Sequence, residues 1–474
     1  MKRVIIAGGG LAGSEAAWQL AERGVPVTLH EMRPARSTPA HKTDRLAELV
    51  CSNSLKSNTP GAASWLLKEE MRRAGSLLMR LADAAAVPGG SALVVDRERF
   101  SQAVTDAVSR HPEIELRREE LRQIGSEALH DGPGSRLPTR GFLTIIATGP
   151  LTSDSLAVQL QRLTGSGNLT FYDSISPIVD AETLRMDPIF RASRYGKGGD
   201  DYLNCPMNED EYRVFYEALR GAETVEAHAF ENLNYFEACL PIEELARRGY
   251  DTLRFGPMKP VGLVDPRTGR QPFAVVQLRA EDLRVSSYNL VGFQNHLRFP
   301  EQKRILRLIP GLENAEFLRF GQIHRNTYIN APRALTPDLS LHAAPDVFIA
   351  GQLSGVEGYV ECTATGLLAG LAAGCRATGE CFTPPPRTTT LGSLVHYITH
   401  ADPNNYQPAN ISFDLLAPIE GLPRHIARDR KARRARQCDR ALTDIARWLE
   451  GVRLQNGGRQ EIEVSGQNEE MAAF

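Results

Sequence analysis

The sequence predicts an α/β fold in which one doubly wound domain is split by an inserted α+β domain. Three observations carry this: a glycine-rich strand–helix–strand unit at residues 3–31, a strand-like run at 141–149, and a strand–turn–helix pattern at 346–370. The two parts of the split domain are placed at 1–175 and 331–450, with the insert at 176–330 and a polar tail at 451–474. A chain of 474 residues suits two to three domains of the usual size, about 150 residues each. Its 42% hydrophobic and 24% charged residues exclude a disordered or fibrous protein.

The N-terminal unit is the most specific. RVIIA at 3–7 is a short apolar run rich in β-branched residues, followed at once by Gly8-Gly9-Gly10-Leu11-Ala12-Gly13. Ser14 to Arg23 has helical character and stops at Gly24; the strand VPVTLHE then ends at Glu31. An acidic residue about 20 positions after the glycines completes a dinucleotide fingerprint. Gly8 makes the turn, Gly10 lets the backbone approach a pyrophosphate, and Gly13 permits close helix packing. The helix N-terminus offers free N–H groups to the anion, and Glu31 can accept ribose hydroxyls. A lone glycine pattern would be only a glycine-rich turn; strand, helix and acid in register make it a binding site.

Two later segments favour FAD over NAD. GFLTIIATG brings Thr148 and Gly149 to the end of a strand, a pattern that closes the FAD domain in many flavoproteins. DVFIAGQLSGVEGYVECTATGLLAG brings Gly351, Gln352, Gly358 and Tyr359 to a helix start that would aim N–H groups at the flavin and its phosphates. The plainer alternative is one more βα unit. The fold is therefore read as a Rossmann-like FAD-binding domain with an inserted α+β domain. FAVVQLRA at 273–280 and the many turn formers of the insert give it a mixed character.

A net charge of −2 means that any nucleic-acid contact must come from a local patch. One candidate runs from Arg424 to Arg440, with eight Lys/Arg against two Asp on a helical pattern, which is either a solvated face or a phosphate contact. No apolar run reaches the roughly 20 residues of a membrane span, and the opening apolar stretch breaks into glycines too early for a signal peptide. A cytoplasmic protein is expected. The seven cysteines form no C-x-x-C pair and no metal-ligand spacing, which argues against the flavin disulfide reductases and against a metal site. Cys239 precedes Pro241, Glu243 and Glu244 at an expected helix start, a position that lowers a thiol pKa, although the two glutamates partly offset this. Cys51 is followed by Ser52, Asn53 and Ser54, residues of helix-capping type. Each is either a reactive thiol or a buried inert one.

Several segments in order, EMRP, TPAHKTDRLAELVCSNSLKS, FEACLPIEELARRGYDTLRFGPMKPVGL, HRNTYINAP and AGQLSGVEGYVECTATGLLAG, resemble the folate- and FAD-dependent tRNA (uracil-5-)-methyltransferases of bacteria. The likeness runs from residue 1 to about 415 and is most specific around the two thiols. It implies methylation of the T-loop uridine 54 of tRNA, with carbon from 5,10-methylenetetrahydrofolate and reducing equivalents from NADH or NADPH through FAD. By the family pattern Cys239 is the thiolate that adds to uracil C6 so that C5 becomes nucleophilic, or a transient thiol partner of the flavin adduct. Cys51 is the second functional thiol. His324 resembles the residue that stacks on the folate pterin, Asn326 lies in the same substrate motif, and Tyr359 resembles a tyrosine beside flavin and thiol. The target base must be splayed out of its loop, which calls for a basic rim: Arg33, Arg36, Lys42, Arg45 and Lys56 are the candidates. No obligate protein partner is expected. The alternatives are a wobble-uridine tRNA-modifying flavoprotein and a non-catalytic flavin-containing RNA-binding protein.

Overall fold

A computed structural model describes residues 2–456 except 39, 125–141, 165–168, 175, 197–198, 226–239, 283 and 322. The first domain is built on a five-stranded parallel sheet. Its spatial order is Val347–Ile349, Leu143–Ile146, Val4–Ala7, Val27–His30, Ile114–Arg117. Val4 pairs with Val27 on one side and Leu143 on the other, so the first strand of the chain is central. All four of its residues are buried, as expected of a strand covered on both faces.

The strand from Val347 comes from the second part of the domain, and so does the helix Tyr359–Thr378, which lies against the first helix, Leu11–Ala21. Glycines set how closely the two approach. A Cβ on Gly366 would sit 2.3 Å from the Ala12 carbonyl oxygen, and one on Gly370 2.8 Å from that of Ala16. Most of the longer helix is buried, including Val360, Ala364, Leu367 and Leu371. The two stretches of sequence therefore share one core.

The insert carries a six-stranded antiparallel sheet: Phe190–Arg191, Tyr202–Met207, Ala274–Ala280, Ser287–Leu290, Ile178–Asp180, Phe317–Arg319. Its own core gathers Tyr212, Phe215 and Leu219 from the helix Glu209–Arg220. That helix starts with a reciprocal capping box between Asn208 and Glu211. Leu169–Ser174 and Ile323–Tyr328 pair antiparallel on either side of this sheet in sequence.

Two expectations are corrected. Ser52 and Asn53 cap no helix: residues Ser54–Ser57 form a strand paired with Ala92–Val95, and the Asn53 amide is taken by the insert instead. The C-terminal helix, Arg430–Asn456, continues past residue 451, where a tail was expected, because an exposed helical glycine at 451 costs only about 1 kcal/mol.

Two ionisable groups are buried within the helix Ala63–Arg73. Glu70 accepts the backbone N–H groups of Thr390 and Leu391, which begin the helix Thr390–His400, at 2.8 and 2.9 Å. Lys68 donates to the carbonyls of Leu55 and Ser57. Burial pushes Lys68 down from 10.5 to about 7 and Glu70 up from 4.5 to about 7. Between pH 7 and 10.5 the unfolded chain binds the Lys68 proton and the folded one does not, so this group adds stability as pH rises. Below pH 7 Glu70 does the reverse: the folded form holds the proton, and stability falls as pH rises from 4.5. Thermal denaturation between pH 7 and 9 should accordingly give Lys68→Met a smaller rise in melting temperature than the wild type, the difference being the Lys68 contribution.

Candidate active site

A cavity of about 390 Å³ opens at the carboxyl end of the central strands, lined by the glycine turn, Glu31, Cys51, Thr148, Gln352 and Tyr359 among others. Gly8 (φ +100°) and Gly13 are required by the protein's own packing. A Cβ on Gly8 would lie 2.6 Å from the Ala147 carbonyl, and one on Gly13 1.8 Å from that of Gly8. Gly10 is different. Its φ is an ordinary −72°, and a Cβ there would meet no described atom within 4 Å. Nothing in the fold asks for glycine at this position, whereas a pyrophosphate lying on the helix N-terminus does. The cradle therefore fits FAD. Gly10→Val should fold with the melting temperature of flavin-stripped wild type, yet purify without flavin absorbance.

Glu31 and Gly9 meet as the fingerprint requires, with the Gly9 N–H donating to Glu31 Oε2 at 3.0 Å. Burial works against the Glu31 charge. The Arg33 guanidinium, with Nε at 2.8 Å, and the N–H groups of Arg33 and Gly9 outweigh it and hold the carboxyl below its ordinary value. Thr148, Gly149, Gly351, Gln352, Gly358, Leu11 and Ala12 all line the same space.

The thiol end is assembled from several elements. The backbone N–H groups of Cys51 and Ser52 both donate to the Tyr359 phenol oxygen, at 2.6 and 3.2 Å, at the start of the Tyr359–Thr378 helix. Burial, and then Cys51 itself, push the phenol pKa up, so Tyr359 keeps its proton and can donate it. From the other side Arg97 donates to the carbonyls of Leu49 (2.7 Å) and Cys51 (3.3 Å) while pairing with Glu281 of the insert. Asn53 donates to Ala280 O and accepts from Arg279 Nε, both of the insert, at 3.0 and 2.9 Å. Arg319 lies close enough to feel Cys51, Tyr359 and Arg97, and its pKa is lowered first by burial and then by Arg97. Cys51 thus sits at the seam of the two domains in a field dominated by arginines.

Arg97, Arg279 and Arg319 were not foreseen. The sequence signals near them are the strand-like run FAVVQLRA, which contains Arg279, and Asp96, whose side chain caps the helix Arg97–Arg110 and so fixes where that helix begins.

The expected basic rim is partly corrected. Arg33 is buried and committed to Glu31 and Glu48 (3.1 Å), two carboxylates that would otherwise stand unneutralised inside the loop. Lys56, at φ +63°, ion-pairs with fully buried Glu361 at 2.7 Å and contacts Asn410, which makes it part of the cavity wall. Lys42 is exposed, and burial followed by Arg319 and Arg97 lowers its pKa, which places it on the positive rim. Arg36 pairs with Glu120 and Arg45 with Gln102. His324 and Asn326 lie on the strand Ile323–Tyr328, opposite Asp173 and Phe171; their side chains, and all of Cys239, are outside the described residues. Among the described residues there is no cluster that could hold a metal, and no helix is long and apolar enough to cross a membrane.

A parallel sheet with this glycine cradle, a second helix N-terminus at the same cavity and an antiparallel insert at its thiol end define a two-domain FAD-binding protein. The family described as glucose inhibited division protein A matches residues 3–381. The chain is 60% identical over 456 residues to the methylenetetrahydrofolate–tRNA-(uracil-5-)-methyltransferase of Solibacter usitatus, covering 95% of this chain and 99% of that one. The enzyme of the same name from Geobacter sulfurreducens is 54% identical over 450 residues, covering 95% and 99%. In fold, the chain matches Aquifex aeolicus GidA with a TM-score of 0.66 at 15% identity, over 95% of this chain and 74% of that one. This chain belongs to the methylenetetrahydrofolate–tRNA-(uracil-5-)-methyltransferase family.

Proposed function

We propose that this chain is the FAD-dependent enzyme that forms 5-methyluridine at T-loop position 54 of tRNA, working in the cytoplasm. The carbon comes from 5,10-methylenetetrahydrofolate and the reducing equivalents from NADH or NADPH. When bound, FAD supplies the redox chemistry and the carrier for the one-carbon unit. The observation that carries the reading is Cys51, fixed by Tyr359 and Arg97 in the wall of the same cavity as the glycine cradle.

What the residues do there follows from their placement. Glu31 holds the ribose end by its charge, and the N–H groups after Gly10 hold the pyrophosphate. Tyr359, protonated and aimed from a helix start, offers a hydrogen bond beside the thiol. Arg97, Arg279 and Arg319 favour negative charge on a thiolate or on a uracil oxygen in a site partly shielded from water. Cys239 is the thiol that adds to uracil C6, with Cys51 the second thiol, and His324 and Asn326 contact the folate.

The test is methyl incorporation into unmodified tRNA with NADH or NADPH and methylenetetrahydrofolate labelled in its one-carbon unit. Label at C5 of the T-loop uridine is expected. Label at the wobble uridine, or none from a yellow and reducible protein, would overturn the reading.

A further inference from the structure

The C-terminal helix Arg430–Asn456 has two unlike halves. From Cys438 onward it is an ordinary packed helix: Ala441, Ile445, Trp448 and Val452 are buried, and Trp448 Nε1 donates to the Thr383 carbonyl at 2.8 Å. Its first turns are not. Arg430, Lys431 and Arg436 are exposed, as is Arg428 at the end of the short helix Arg424–Arg428 just before it, and none of the four pairs with a carboxylate among the described residues. Some surface arginines elsewhere are paired, while others such as Arg99, Arg191 and Arg270 stand singly; here four unpaired cations fall within nine residues. Arg72 pairs with Asp83 at 2.7 Å, Arg213 with Asp210 at 2.6 Å and Arg304 with Glu301 at 2.7 Å. The acid nearest this run, Asp429, is already engaged, since its Oδ1 accepts the N–H groups of Lys431 and Ala432 as the helix cap. Like charges on one helix cost a few tenths of a kcal/mol per pair at i, i+4 spacing. The packed second half holds the helix together in spite of that cost.

The charged face is also tied to the cavity wall. Arg434 lies 5.2 Å over the Phe413 ring, and Gln437 Nε2 donates to the Phe413 carbonyl. Three residues earlier, Asn410 contacts Lys56, and the Ile411 N–H donates to Glu361 at 3.0 Å. Three residues of chain reach at most about 11 Å. Six residues of helix, from Arg430 to Arg436, extend the face by a further 9 Å or so, and Arg428 ends the short helix just before it.

We propose that Arg428, Arg430, Lys431 and Arg436 form a phosphate-binding face that grips the sugar–phosphate backbone of the tRNA outside the cavity that takes the uridine. This rests on the function proposed above. Guanidinium and ammonium groups without exposed aromatic residues among them suit backbone contact, which sets orientation, rather than base reading.

The experiment uses the full-length, flavin-loaded protein carrying Arg430→Gln, Lys431→Gln and Arg436→Gln together, with Arg213→Gln/Arg304→Gln as a control for lost surface charge. Glutamine keeps helix propensity nearly unchanged. Flavin content, reduction by NADPH and melting temperature should match the wild type in both. Binding of unmodified tRNA to the triple variant should weaken at least about tenfold at 0.1 M salt, and the slope of log affinity against log salt should fall by about 2 to 3. The control should keep the wild-type slope. Unchanged affinity and slope in the triple variant, or an equal fall in the control, would overturn the proposal. Because the readout is binding, it is separable from the function itself: a wild type that binds tRNA but places no label at the T-loop uridine fails the function and not this face.

Discussion

Cys51→Ala should purify yellow, with wild-type flavin content and reduction by NADPH, and should lose methyl transfer by at least about 10³-fold. The two halves of this expectation have separate causes. Cys51 holds its neighbours through backbone atoms: its N–H reaches Tyr359 and its carbonyl accepts from Arg97. Alanine keeps both bonds, so the wall of the cavity survives and only the sulfur is removed. Single-turnover transfer of labelled methylene to tRNA measures the loss. A variant that methylates at the wild-type rate would show that the thiol has no part in the chemistry, and the arginines around it would need another purpose.

The second large effect is structural. In Gly366→Val the new Cβ would lie 2.3 Å from the Ala12 carbonyl oxygen and 2.6 Å from its Cα. These are backbone atoms that cannot turn aside, so the two helices must separate. Ordinary overpacking costs about 1–3 kcal/mol. Parting a helix pair that carries both the cradle and Tyr359 should exceed that, against a total stability of about 5–15 kcal/mol. A colourless, largely insoluble protein is expected, or one melting at least 10 °C lower where the stability loss is a few kcal/mol. Gly451→Ala is the contrasting case. It lies in a helix with no atom within 4 Å of the added methyl, and should stabilise by about 0.5–1 kcal/mol. Circular dichroism melts and flavin absorbance distinguish the two.

The sequence made the cradle legible because its signal is local: glycines, strand, helix and Glu31 fall within 31 residues and each has one physical reason to be there. Cys51 stood out through its Ser and Asn neighbours and then through resemblance, but the capping reading of those neighbours misled, since a run of Ser and Asn serves a strand entrance as well as a helix cap. Arg33 and Lys56 were misplaced for a more general reason. Whether a cation faces solvent or an interior carboxylate depends on which acids fold back on it. Glu361 lies 305 positions from Lys56, a pairing that no local pattern contains. The same holds for Arg97 and Glu281, 184 positions apart. Charges that belong to the seam between two domains are visible only once the seam is built.

The crossing of the Leu11–Ala21 and Tyr359–Thr378 helices also has a consequence for how the protein comes into being. During synthesis the first helix emerges more than 300 residues before its partner. At 5–20 residues per second that is a delay on the order of 20 to 70 s. Throughout that interval the nascent chain carries the glycine cradle without the helix that covers one face of it, while the insert, with a separate core, is free to fold. Flavin capture must therefore wait until the Tyr359–Thr378 helix has left the ribosome. A chain released before then would expose an apolar surface that the Tyr359–Thr378 helix covers in the finished fold.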